Sequence, residues 1–272
     1  PQGEVVVAGT FQDTIDFGGG ALVNPNPGTY DVFVVKLDAS GQHVFSLRFG
    51  AANDDYAFGV AVDEAGDVLV TGSFFGTVSI GGVALTSVGG RDSFLAKLDG
   101  AGATLWAKRF GSPTSDYGYG VAAGPGGRIA MVGNTTGTID FGAGPLPGAG
   151  GNDGYVVELD TQGQLTWAQR FGDAGGQNAY SAAFAPNGDV VVAGDFTGSM
   201  TLGDALTTSP TSYDAFVARF AANGTPLWAR SVGSTQLHDV GRGVAVDPSG
   251  NVLLTGIFRG TITVGQQILT SG

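Results

Sequence analysis

Cysteine is absent from the 272 residues, so no disulfide, thiolate metal centre or cysteine nucleophile can be built. Histidine occurs twice, at His43 and His238, too rarely for a metal site with the usual imidazole set. No run approaches 18 apolar residues, which excludes a membrane-spanning helix. Positive charge is scarce as well. Twelve Lys and Arg stand against 24 Asp and Glu, a net charge of -12 that opposes binding to nucleic-acid phosphates or anionic membrane surfaces. Charged residues make up only 13% of the chain, about half the usual share in globular domains. The chain begins at Pro1 with no signal-peptide pattern, which fits a processed product.

What the sequence does have is a period. Asp31, Asp92, Asp153 and Asp214 open the segments DVFVVKLDASGQHVFSLRFG, DSFLAKLDGAGATLWAKRFG, DGYVVELDTQGQLTWAQRFG and DAFVARFAANGTPLWARSVG, each 61 residues after the last. A fixed spacing of this length marks a repeat architecture whose units must stack to bury their apolar faces. Before each segment lies an apolar run after a glycine, such as GDVLVTGSF from Gly66, which reads as a strand buried on both faces. A short alternating stretch follows it, such as TVSIGG at Thr77, as expected of a strand with one solvated face. Turns such as Asp99-Gly-Ala-Gly102 fold the Asp strand back on a strand carrying Phe45, Trp106, Trp167 or Trp228. A small-residue strand, GVAVD at Gly59, completes the period.

About four antiparallel strands per 60 residues, without a helical period, is what a β-propeller blade requires. The motifs GVAVDEAGDVLVTGSF at Gly59, DSFLAKLD at Asp92 and the Gly-x-x-x-Trp hairpin resemble bacterial SBBP-type β-propeller repeats over nearly the whole chain. The expected organisation is a single all-β propeller domain over 1–272, with units at 3–65, 66–126, 127–187, 188–249 and a partial 250–272. The count comes to about five blades, with incomplete first and last units. Pro1-Gln2-Gly3 aligns with the turn Pro248-Ser249-Gly250, so part of a longer array is expected.

Two polar patterns repeat. Asp31 and Arg48, Asp92 and Arg109, and Asp153 and Arg170 are each 17 apart, straddling the hairpin turn. With Leu98 opposite Ala103, Asp92 falls opposite Arg109 and Phe94 opposite Ala107, giving a cross-strand ion pair that tethers the blade. Phe45, Trp106, Trp167 and Trp228 are expected to pack between blades. Asp55, Asp116, Asn178 and Asp239 follow irregular loops and have Tyr56, Tyr117 and Tyr180 nearby, which could stack on a sugar or peptide. These seven are the ligand-site candidates. Their acids could equally cap the inner strands, or hold calcium if their oxygens converge. No other cofactor is expected and no catalytic residue stands out.

The SBBP resemblance implies the fold and a bacterial secreted or cell-surface setting, and leaves the role open. The leading expectation is a non-catalytic scaffold for a protein or carbohydrate ligand. A structural subunit, joined to other copies or to further chain through open strand edges, and a propeller enzyme acting on glycans through paired carboxylates are the alternatives.

Overall fold

A computed structural model describes residues 3–207, 212–234 and 238–271; Pro1 and Gln2 of the expected opening turn, and 235–237 of the loop before Asp239, lie outside them. Three four-stranded antiparallel sheets follow one another along the chain. The first runs inner strand Tyr56–Val62, second strand Val68–Phe74, third strand Asp92–Leu98 and outer strand Thr104–Phe110. The next is Asp116–Ala123, Ile129–Thr135, Asp153–Leu159 and Leu165–Phe171. Gln177–Phe184, Val190–Phe196, Asp214–Phe220 and Pro226–Val232 form the last of the three. A three-stranded sheet of Val5–Phe11, Asp31–Leu37 and His43–Phe49 precedes them, and the pair Val240–Val246 and Val252–Ile257 follows. The sheets are therefore phased about one strand ahead of the units read from the sequence, since each inner strand pairs with the apolar run after it.

Alternation explains why the second strands are buried throughout. Val68 and Val70 face the preceding sheet, packing with Val32, Val34 and Phe49, while Leu69 faces the following one with Ile129, Met131 and Val157. Each wholly buried aliphatic side chain contributes about 2 kcal/mol of transfer free energy, and both faces contribute because every sheet is sandwiched. The outer-strand aromatics extend this stacking. A methyl at Gly102 would meet the Phe45 ring at 2.8 Å, one at Gly163 would meet Trp106 at 3.2 Å, and one at Gly224 would meet Trp167 at 2.6 Å. Each aromatic thus covers the hairpin turn of the next sheet, as expected of interblade packing.

The hairpin register differs from the expected one. Asp99 accepts the Ala103 and Ala101 amides on its side chain, and Gly102, at φ 91°, donates to the Asp99 carbonyl. A turn closed by such a left-handed glycine inserts a bulge, which falls between Lys97 and Leu98. Leu98 consequently faces Thr104 and Phe94 faces Arg109, while Asp92 lies just past the last pair. The ion pair forms on the diagonal: Arg109 Nη1 lies 2.6 Å from Asp92, Arg48 Nε 2.5 Å from Asp31, and Arg170 Nη1 2.6 Å from Asp153. All three carboxylates are fully buried. Burial pushes Asp31 and Asp92 above the usual carboxylate range, against the pull of their arginines.

The short alternating strand also has a partner the sequence did not announce. Thr77–Ile80 pairs with Val83–Thr86 in a separate hairpin, and a counterpart follows the second strand in each of the other periods. Neighbouring sheets meet along their inner strands. The last residues of those strands, Val62, Ala123, Phe184 and Val246, line one common cavity, so the four strands surround a shared axis.

The second-strand glycines carry a strict requirement. A Cβ at Gly133 would lie 1.8 Å from the Tyr117 carbonyl oxygen, and the same holds for Gly72 against Tyr56 and Gly194 against Asn178. Gly133→Ala is expected to cost about 3 kcal/mol in urea unfolding, because the backbone itself must move. Gly100→Ala, where the nearest atom would be 3.6 Å away, is expected to change stability by less than about 0.5 kcal/mol.

Candidate functional site

The inner strands hold the polar and aromatic positions singled out in the sequence, and the structure separates them into two roles. Asp55 is fully buried and accepts the backbone amides of Ala51 and Phe75 at 2.8 and 3.2 Å. Asp116 accepts the Ser112 amide and hydroxyl, and Asp239 accepts the amides of Ser234 and Arg259. Asp55 and Asp239 thereby fasten the incoming loop to the segment after the second strand, and Asp116 holds its own incoming loop. In the third sheet of this kind the same place belongs to Gln177, whose Oε1 accepts the Asp173 amide, and not to Asn178. Asn178 is instead the counterpart of Tyr56 and Tyr117. Among the described residues no group of three or more His, Asp or Glu side chains converges to hold a metal ion.

The second role belongs to a bulge. In each inner strand one residue is passed over by the ladder: Phe58, between Ala57 opposite Gly72 and Gly59 opposite Thr71, and likewise Tyr119, Tyr180 and Arg242. A bulge leaves its extra residue unpaired and re-aims the side chain, here at an identical point in four successive strands. In three of the four a glycine follows, and it lets the strands close up. A Cβ at Gly59 would lie 3.0 Å from the Tyr119 carbonyl, and one at Gly120 would lie 2.7 Å from that of Tyr180.

The four re-aimed side chains form a continuous row. Phe58 and Tyr119 have ring centroids 5.3 Å apart, Tyr119 and Tyr180 5.2 Å, and the Arg242 guanidinium sits 4.7 Å above the Tyr180 ring. Tyr56 stacks on Phe58 and Tyr117 on Tyr119, while Tyr30 and the Arg91 guanidinium extend the row over Tyr56. Beneath it, Asn134 donates to Asn178, Asn178 donates to Asp195 at 2.7 Å, and the Tyr180 hydroxyl reaches Asp195 at 3.3 Å. Burial raises the Tyr119 phenol to about 12 and lifts the Tyr180 phenol and the Asp195 carboxyl as well. Phe58 keeps 45% of its surface exposed and Arg242 is exposed, so the row presents apolar ring area beside the exposed Arg242 guanidinium.

Of the candidates, Tyr56, Tyr117 and Tyr180 thus come together in this row, whereas Asp55, Asp116 and Asp239 do not reach it. Phe58, Tyr119 and Arg242 were missed. Their signal was positional: residues 58, 119, 180 and 242 stand at equivalent places two residues after the pair-forming Tyr56, Tyr117, Asn178 and Val240.

Sandwiched four-stranded antiparallel sheets, each entering at a shared axis and repeating every 61 residues, define an all-β protein of the β-propeller type. The chain carries an SBBP-type repeat: a family model described as a beta-propeller repeat matches residues 44–73, the segment from one outer strand through the following inner and second strands. Among curated proteins, it is similar to the regulatory protein FlaEY of Caulobacter vibrioides, 26% identical over 178 residues, covering 62% of this chain and 18% of that protein. It is also similar to an uncharacterized WD repeat-containing protein of Acanthamoeba polyphaga mimivirus, 22% identical, covering 85% of this chain and 21% of that one. The chain spans about a fifth of the length of these relatives. A crystal structure of a protein of unknown function from Dyadobacter fermentans shares the fold, with a TM-score of 0.50 and 18% identity over 93% of this chain and 71% of that chain.

The loop-fastening acids leave a signature in pH. Burial pushes the Asp55 carboxyl up to about 6, above its ordinary 3.8. The folded state therefore binds this proton more readily than the unfolded chain. The resulting stabilisation is complete below about pH 4 and is lost as pH rises through about 6. Asp55→Asn is expected to flatten that part of the stability profile relative to wild type when urea midpoints are compared between about pH 4 and 7. An unchanged difference curve would show that Asp55 keeps its ordinary acidity.

Proposed function

We propose that this chain is a non-catalytic binding scaffold, secreted or displayed on a cell surface, that holds a protein or carbohydrate ligand at the inner-strand row. The observation that carries the reading is the coincidence of four bulges with Phe58, Tyr119, Tyr180 and Arg242. A strand gives up ladder bonds to aim these side chains, and ring faces beside a guanidinium are the groups that dominate binding surfaces. No cofactor takes part. Calcium is disfavoured, because the repeated acids each bond their own loops and do not converge among the described residues. For the glycan-active alternative, the carboxylates raised by burial, Asp31, Asp55, Asp92, Asp116 and Asp195, lie within the sheets and their loops.

A second reading, a subunit joined to others through strand edges, draws on the second strands of the two partial sheets. Val5 and Val7 on one, and Leu253 and Ile257 on the other, keep between 42% and 55% of their surface exposed. Such edges favour pairing with a further strand.

The binding reading is tested on glycan and peptide arrays. Wild type is expected to give discrete positives, and the Phe58→Ser/Arg242→Gln double variant to lose them to about a tenth or less, as truncation of central anchors does. Asn53→Ala, on an exposed loop, is expected to keep them. Blank arrays, or positives that survive the double variant, would remove the inner-strand row as the binding surface.

A further inference from the structure

At the opposite end of the inner strands lies the cavity lined by Val62, Ala123, Phe184 and Val246, about 320 Å³ in volume and within the lower range of ligand sites. Its rim comes from the turns into the second strands. Pro125, Pro186 and Pro248 occupy equivalent places there, and the fourth place is taken by Glu64. Three repeats therefore offer a rigid apolar wall without an amide donor, and one offers a carboxylate.

The charges around this mouth are unevenly committed. Lys97 is held by Asp63 and Asp67 at 2.8 and 3.1 Å. Arg128 is bound to Glu158 and the Gly188 carbonyl, with its guanidinium over the Phe184 ring. Asp247 lines the cavity and is kept below the usual carboxylate range, chiefly by Asn251 and the turn amides. Glu64 is exposed, and among the described residues its carboxylate accepts one hydrogen bond, from the Gly126 amide at 3.4 Å. Among the described residues no Lys, Arg or His forms a salt bridge with it. An apolar cavity whose rim carries two anions and no uncommitted cation, in a chain of net charge -12, is matched by a cation on an aliphatic stem.

We propose that this axial cavity binds an alkylammonium group, with the aliphatic stem between the proline rim and Phe184 and the ammonium on Glu64. The site is separate from the aromatic row and its test is independent of that reading. The chemistry is shared by a lysine side chain of a protein partner and by a free aliphatic amine.

Titration calorimetry and NMR shift mapping of the whole chain with n-butylamine, protonated at neutral pH, and with n-butanol, its neutral counterpart, decide the matter. Butylammonium is expected to bind in the millimolar range, about tenfold tighter than butanol, with shifts at Val62, Ala123 and Phe184. Glu64→Gln is expected to abolish that preference and leave butanol binding as it was. Glu64→Pro, which copies the other three repeats, is expected to do the same. Equal binding of the two probes, no binding of butylammonium, or a preference that survives both substitutions would overturn the proposal. A blocked Gly-Lys-Gly peptide that binds tighter than butylammonium identifies a protein side chain as the natural source, and equal or weaker binding identifies a free amine.

Discussion

The constraint on which this structure depends is the closeness of backbone to backbone at the axis. The Tyr117 carbonyl presses on Gly133 within its own sheet, and the Tyr180 carbonyl presses on Gly120 from the neighbouring sheet. Neither approach tolerates a Cβ. Because the inner strands can stand so near, there is no room for an ordinary row of inward side chains, and the strand must expel one residue as a bulge. The expelled residues then meet their counterparts on adjacent strands. The aromatic row is thus a consequence of glycine placement as much as of the aromatic residues themselves.

Away from the axis the repeats are nearly uniform, and the uniform contacts are the ones that hold sheets together. The buried Asp–Arg pairs recur in three sheets, and an outer-strand aromatic lies on the hairpin glycine of the next sheet three times over. Buried ion pairs of this kind fix geometry more than they add net stability, since desolvation consumes most of the Coulomb gain. Two departures from uniformity fall at the axis. Arg242 replaces an aromatic at one end of the inner strands, and Glu64 replaces a proline at the other. In a repeat protein the shared residues serve stacking, so a substitution at an otherwise constant, exposed axial position is where a specific contact can be built without loss to the fold.

Much of this was legible in the sequence because strand burial and turn chemistry are local. The run VLVTGSF declares a doubly buried strand, and Asp99 with Gly102 declares the turn. What was not legible depends on a single inserted residue. The G1-type bulge after Lys97 moves the register away from the pairing of Leu98 with Ala103, and composition does not reveal it. The inner bulge has a similar effect on alignment: one position separates Gln177, which fastens a loop, from Asn178, which belongs to the network under Tyr180. The short partner strand Val83–Thr86 escaped notice because four residues carry too little periodicity.

The acidity of the chain also takes on a different meaning once the carboxylates are placed. Many of the 24 acids are spent on the backbone, as Asp38, Asp99, Asp160 and Asp247 are in turns and Asp55, Asp116 and Asp239 are at loop junctions. A carboxylate that accepts two amides is satisfied where it stands, so it adds to the long-range field without offering a contact. Nine of the twelve cations are likewise paired with acids, leaving Lys108, Arg242 and Arg259 outside the salt bridges of the described residues. Net charge alone therefore does not describe what the axis presents. What the axis presents depends also on the groups outside those pairs, the exposed Arg242 guanidinium towards one end of the inner strands and the exposed Glu64 carboxylate at the other, which are of opposite sign.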